Sequence, residues 1–386
     1  MNSPLFFANA SKAGGGRFCL RVAQGRMAGS APKPGDLTID LTGRVLRPGL
    51  INAHDHLQLN SLPRLKYRPL HANVSEWIAD IGARLAQDPT LRANTARPKR
   101  ARLLAGALKN LLAGTTTVAH HDAWDPCFED AGFPVNVPRC AWSHSLGLDG
   151  REAVRAACHA APQGVPWIVH AAEGVDAAAG LEFSRLDELD CIGPQTVLVH
   201  GLALNAAQRA RLVQAGAGLV WCPASNLHLF EKTIDPHALA ARGRLALGSD
   251  SRISGSRDLL DELAIARQAS RLGESALESL VTDQAAALLR LPDRGQIAAG
   301  ARADLMALPA GLPLSRARRA DVELVVVHGE IRLADPRLPG IDGCNLLPVR
   351  LDGRPKLLSA DLVAALQTES IVEPGLDLAP ALETMP

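Results

Sequence analysis

Aromatic residues are scarce in this chain, with one Tyr, seven Phe and five Trp among 386 residues. Any flat ligand that is held by stacking must therefore rest on Trp or His. Lysine is scarce too: only seven of the 41 Lys and Arg residues are Lys. The formal net charge is +1, so no basic field points toward nucleic acid or an anionic membrane. The cysteine count is seven, an odd number, scattered and without a CxxC pair. That argues against a disulfide framework or a zinc knuckle and fits a reducing compartment. No apolar run approaches the roughly 20 residues needed to cross a bilayer. The first residues, MNSPLFFANASK, hold no basic segment followed by a long apolar one, unlike a secretory signal. Also missing are HExxH, the H-x-E and PCxxC pair of cytidine-deaminase folds, and the glycine-rich loops that cradle nucleotides. The expectation is a cytoplasmic protein that acts on a small-molecule substrate, with neither nucleic acid nor membrane as partner. Assembly of identical chains stays open.

Hydrophobic residues make up 47% and charged residues 21%, and the length suffices for a large barrel with a smaller satellite. Short strand patterns at Arg17–Ala23 and 36–40 are matched near the other end by 303–308 and 322–328, the last followed by a Gly329-Glu330 turn. One β-sandwich domain built from 1–48 and 296–345 is expected. Between them, 49–295 alternates strands and helices. Strands are expected at 50–53, 116–119, 139–142, 167–169, 197–199, 218–221 and 245–247, and helices at 74–85, 99–112, 151–160 and 258–271. That alternation predicts an α/β fold with a parallel sheet, a (β/α)8 TIM-type barrel. Only seven strands are convincing. The interval from His144 to Trp167 holds one helix where a full barrel wants a fourth strand as well, so that strand is either short or missing. Residues 346–386 read as a C-terminal appendage with a helix at Ala360–Thr368.

Chemistry concentrates at strand ends. His54-Asp55-His56 follows the apolar segment from Arg47 to Ala53, and residues two apart on a strand face the same side. The segment ending in Val169-His170 carries Glu173 three residues on. Val197-Leu198-Val199 ends in His200, and Leu245-Ala246-Leu247 leads to Asp250. In a barrel the C-terminal strand ends converge on one face, which is where such folds place their active sites. His71, His159, His237 and His328 lack that context and read as structural or exposed.

The ordered set resembles the amidohydrolase superfamily: PGLINA leading into HDH, then AGTTTV, HAAE, LVHG, WCPASN, GSDS and a flanking AAGARADL. It is most similar to the aminohydrolase and chlorohydrolase branch, metal-dependent deaminases among them. AGTTTV and WCPASN resemble that branch's second and seventh barrel strands, and the likeness runs from about residue 36 to 330. The resemblance implies that His54, His56, His170 and Asp250 bind one divalent metal, Zn²⁺ in first place and Fe²⁺ in second. Such a metal brings the pKa of its water from ~15.7 to roughly 7. The resemblance further implies that Glu173 relays a proton to the ring nitrogen or departing amine. His200 and Asp250 would orient the attacking hydroxide and take up its proton. Two-metal relatives bridge their ions with a carboxylated Lys, and no Lys stands between Lys109 and Lys232. A bridge from Glu152 or Cys140 lacks a strand-end context, so one ion per chain is expected.

Gln58, His121, Trp142, His144 and Asn226 are candidates for substrate contact. Each has a structural alternative: helix-entry capping for Gln58, a structural hydrogen bond at the mouth for His121, Trp142 and His144, and loop bracing for Asn226. The expected reaction is hydrolysis of a non-peptide carbon–nitrogen bond, namely deamination of a heterocycle or cyclic amidine. Ring opening of a cyclic amide or imide, or displacement of chloride, would use the same site. A catalytically inactive scaffold would be marked by a lost ligand, and none is lost.

Overall fold

The structure is a computed structural model that describes residues 3–378 apart from residue 86. The Pro-containing end of the expected appendage, 379–386, lies outside the described residues. Seven strands form the middle of the chain: β1 (Leu50–Asp55), β2 (Thr115–His120), β3 (Ala141–Ser143), β4 (Trp167–Ala171), β5 (Thr196–His200), β6 (Gly218–Trp221) and β7 (Leu245–Leu247). β1 pairs with β2 in parallel, and β3 to β7 pair in order as a parallel five-stranded sheet. Every residue of β1, β2, β5, β6 and β7 is buried. Burial on both faces is why these segments read as near-continuous apolar runs instead of alternating ones.

Backbone hydrogen bonds at each flank tie the two-stranded sheet to the segments that border the five-stranded one. On one side the Val118 N–H donates to the Asn136 carbonyl at 2.9 Å, and the Asn136 N–H to that of Thr116 at 2.8 Å. On the other the Asp250 N–H donates to the His54 carbonyl at 3.1 Å. Gly248 permits this second approach, since a Cβ there would lie 2.7 Å from the Cβ of His54. The fourth strand is missing among the described residues. Residues 144–166 form the helices Leu146–Asp149 and Arg151–His159, and β3 pairs directly with the strand that carries His170. The barrel is therefore abbreviated to seven strands, and the WCPASN segment follows its sixth.

Strands from both chain ends form one mostly antiparallel sheet of eleven strands. Leu5–Ser11 and Arg44–Pro48 meet Leu305–Pro309 and Leu324–Val327 along it, and Phe7, Ile39, Leu46, Leu305, Leu324 and Val326 share one apolar cluster. Residues set apart above as an appendage extend the same sheet. Leu346–Leu351 and Arg354–Ser359 form a hairpin, Arg354–Ser359 pairs with Glu330–Ala334, and the helix Ala360–Thr368 follows. The reason is burial: Val349, Leu351 and Leu358 are at most 3% exposed and join the main core.

Two helices bear on the barrel mouth. Val74–Leu85 lies across it, presenting Val74, Trp77 and Ile78, which are spaced to share one helix face. Lys99–Leu111 packs against the turn after β1 and is almost wholly buried. Gly106 sets that contact, because a Cβ would fall 2.2 Å from the Leu57 carbonyl oxygen.

Candidate metal centre

β1 delivers His54 at its end and His56 just past it. Alternation along the strand turns both imidazoles to one side and the intervening Asp55 to the other. β4 supplies His170, whose Nδ1–H donates to the His144 carbonyl at 2.8 Å. That bond leaves the His170 Nε2 lone pair facing inward, 3.3 Å from Nε2 of His54 and 3.3 Å from Nε2 of His56. Asp250 Oδ1 stands 3.6 Å from His54 Nε2. A tetrahedral ion with nitrogen ligands at roughly 2.0–2.1 Å holds them about 3.3–3.4 Å apart. The spacing of the imidazoles fits a zinc-sized cation, and Asp250 joins His54 and His200 in a second group of donors within 4.8 Å of one another, which shares His54 with the first.

Asp250 is in a left-handed conformation, φ 53°, which no β-branched residue would tolerate well. Its carboxylate accepts from the Ser251 N–H at 2.7 Å and from the Ser254 hydroxyl at 2.8 Å. Burial alone would raise this carboxyl, but the close imidazole of His54, together with His56 and His200, holds it well below the usual range. Burial pushes His56 down to about 3 and His200 down to about 4. Both imidazoles are thus neutral near pH 7, the form that binds a cation. Glu173 behaves oppositely: burial, then the charges of Asp250 and Glu182, lift its carboxyl well above the ordinary value. It faces His200 Nε2 at 3.5 Å.

The cavity above these groups holds 310 Å³ and is lined by His56, His170, Glu173, His200 and Asp250. Gln58 and His144 also line it, and Gln58 donates to Asp122, which shares the wall. The remaining wall is apolar, from Leu59, Val74, Trp77, Ile78, Leu148 and Ile253. A larger cleft of 720 Å³ lies elsewhere, lined by Arg64, Arg252, Arg257 and Arg318. It has no cluster of imidazoles, so the chemistry and not the volume identifies the site.

Three candidates for substrate contact stand off the cavity wall. Asn226 is fully buried and accepts from His200 Nδ1 at 3.0 Å, so it orients that imidazole. Trp142 is half-buried and packs its ring edge-on against His144, 4.8 Å between centroids. His121 is fully buried among the imidazoles of His54, His56 and His170.

Sequence reasoning passed over what lies beneath the histidines. Asp55 Oδ2 receives Lys109 Nζ at 3.1 Å and Asn110 Nδ2 at 2.8 Å, while Asn60 Nδ2 donates to Oδ1 at 2.8 Å. Lys109 also donates to the Ser249 hydroxyl at 3.1 Å and to the Asp250 carbonyl at 2.7 Å. Asn52 ties Ser249 to the same group. One ammonium therefore binds the strand end that carries His54 and His56 to the one that carries Asp250. The available signal was a lysine directly after the apolar run 103–108 of that helix.

Residues 150–332 match the sequence profile of the Amidohydrolase family. The chain is 27% identical over 321 residues to a 5-methylthioadenosine/S-adenosylhomocysteine deaminase from Halobacterium salinarum, covering 70% of this chain and 74% of that one. It is 32% identical over 186 residues to an 8-oxoguanine deaminase from Pseudomonas aeruginosa, covering 42% and 40%. Its fold matches that of an adenosine deaminase from Xanthomonas campestris solved with bound zinc, with a TM-score of 0.70, 19% identity and coverage of 95% and 97%.

Proposed function

We propose that this chain, whose residues 150–332 match the Amidohydrolase family profile, is a carbon–nitrogen hydrolase that removes an amino group hydrolytically from a nitrogen heterocycle or cyclic amidine. One divalent ion, Zn²⁺, would be held by His54, His56, His170 and Asp250. The observation that carries this reading is the 3.3 Å spacing of three imidazole Nε2 atoms beside a fixed carboxylate, at the floor of a 310 Å³ cavity. The relatives named above are deaminases, which supports the same bond. No lysine stands between Lys109 and Lys232, which supports a single ion.

When bound, the ion acts as a Lewis acid and lowers the pKa of water to about 7. The chain supplies the proton handling. Glu173 would give a carboxyl proton to the ring nitrogen, and the proton that Asp250 takes from the water would go on to the departing amine, the hydroxyl proton of the adduct returning to Glu173. Asp250, steadied by Ser251 and Ser254, takes the proton of the attacking water. His200, fixed by Asn226, orients that water through Nε2. The apolar wall from Val74 and Trp77 excludes bulk solvent and sharpens these interactions.

The test is metal analysis together with an ammonia-release screen over amino-substituted heterocycles and cyclic amidines. About one ion per chain and release from at least one member are expected. Glu173→Gln should keep the ion and lose about 10²–10⁴-fold in kcat. Near-normal turnover in that variant would remove the proton relay. A metal-loaded chain that releases no ammonia would shift the reaction to ring opening or dehalogenation.

A further inference from the structure

His121 has no part in the four-ligand set, yet its surroundings are those of a ligand. It follows the end of β2, is 0% exposed and does not line the cavity. Its Nε2 lies 2.8 Å from the Ser143 carbonyl oxygen, which only accepts, so the ring proton sits on Nε2. Nδ1 is then a bare lone pair, and it is buried with no hydrogen-bond partner. A buried acceptor left unmet is costly.

The neighbouring groups cannot meet it by hydrogen bonding. The ring of His121 lies 4.3 Å from that of His170, 5.1 Å from His54 and 5.5 Å from His56. His170 commits its own proton to the His144 carbonyl and turns its Nε2 lone pair inward. One donor nitrogen from each of His54, His56, His121 and His170 falls within 4.8 Å of the others. Lone pairs crowded so closely repel unless a cation stands between them. A carbonyl on the far ring nitrogen is also how metal-bound imidazoles are held and oriented, and Ser143 does for His121 what the His144 carbonyl does for His170.

We propose that His121 Nδ1 is a further nitrogen donor to the cation of this centre, which would then hold four imidazoles and one carboxylate. The proposal rests on the reading of the metal centre given above. A set so rich in nitrogen favours Zn²⁺, Fe²⁺ or Co²⁺ over the oxygen-seeking Mg²⁺ and Ca²⁺.

X-ray absorption at the zinc edge of the wild-type protein counts imidazoles directly and needs no variant. Four per ion are expected, and three would overturn the proposal. As a second measurement, Zn²⁺ retention against graded chelator is compared between wild type and His121→Ala, with a loss of at least about tenfold expected. The Co²⁺-loaded variant should show stronger visible absorption than wild type, as fewer ligands surround the ion. Unchanged retention and an unchanged spectrum in a folded variant would overturn it as well. A chain that holds no metal overturns the centre itself, whereas three imidazoles per ion overturn only the part assigned to His121.

Discussion

Two of the seven lysines are sealed from solvent, one in each half of the molecule, and they are held in different ways. Lys109, 0% exposed in the barrel, spends its three donors on the Asp55 carboxylate, the Ser249 hydroxyl and the Asp250 carbonyl. Lys356, 2% exposed in the terminal β sheet, donates to the Val322 carbonyl at 2.6 Å and stands 3.5 Å from Asp335. Burial lowers the Lys356 ammonium, with Asp335 and Glu323 opposing that shift. The barrel lysine is saturated and its counter-ion is buried with it, while Asp335 also bonds the exposed Arg337. A buried charge is a poor source of stability, since its desolvation offsets its attraction, but it fixes geometry strongly. The lesson is that the first lysine joins the strand ends that carry His54, His56 and Asp250, and the second clips a sheet.

That contrast is most exposed by removing the charges. Lys109→Met leaves the Asp55 carboxylate buried without a counter-charge, held only by the amides of Asn60 and Asn110, so a stability loss of about 3–5 kcal/mol is expected in urea unfolding. Chelator should also strip metal from the folded variant sooner than from wild type. If stability falls while metal retention holds, the positioning role fails. Lys356→Met should cost less, about 1–3 kcal/mol, and leave metal content and turnover unchanged; a change in either would show that the two halves are coupled. The smallest effect belongs to Asp335. Burial would raise its carboxyl, but the hydrogen bonds from Arg337 and the charge of Lys356 bring it from 3.8 to about 2. Its folded value is depressed, so its stabilisation is present above pH 4 and is lost as pH falls toward about 2. Asp335→Asn should remove roughly 1–2 kcal/mol at neutral pH and flatten the acid limb of the stability curve. An unaltered acid limb would assign that limb to other carboxylates.

Legibility followed what each feature depends on. The buried strands announced themselves because parallel strands covered on both faces are apolar throughout, and all seven observed strands lie where the pattern put them. The missing fourth strand was legible as an interval with a single helix. His54, His56, His170, Glu173, His200 and Asp250 were legible because they follow apolar runs directly. Asn226 and His121 were legible as polar residues near strand ends but not as a buried brace and a buried imidazole. Whether a side chain reaches the cavity or stops behind its wall depends on neighbours distant in the chain. The strands after residue 345 were hidden because Leu346–Leu351 includes Pro348 and alternates only weakly.

What the sequence settled by itself was the alternation of strand and helix, and the few polar residues permitted at strand ends, because local periodicity dictates both. The tertiary structure alone decided that Asp55 turns away from the imidazoles to meet Lys109, and that β3 closes directly onto the strand of His170. It also decided that one ring nitrogen from each of four histidines falls within 4.8 Å of the others. Those outcomes come from the packing of elements far apart in the chain, where the cost of burying unmatched polar groups selects one arrangement.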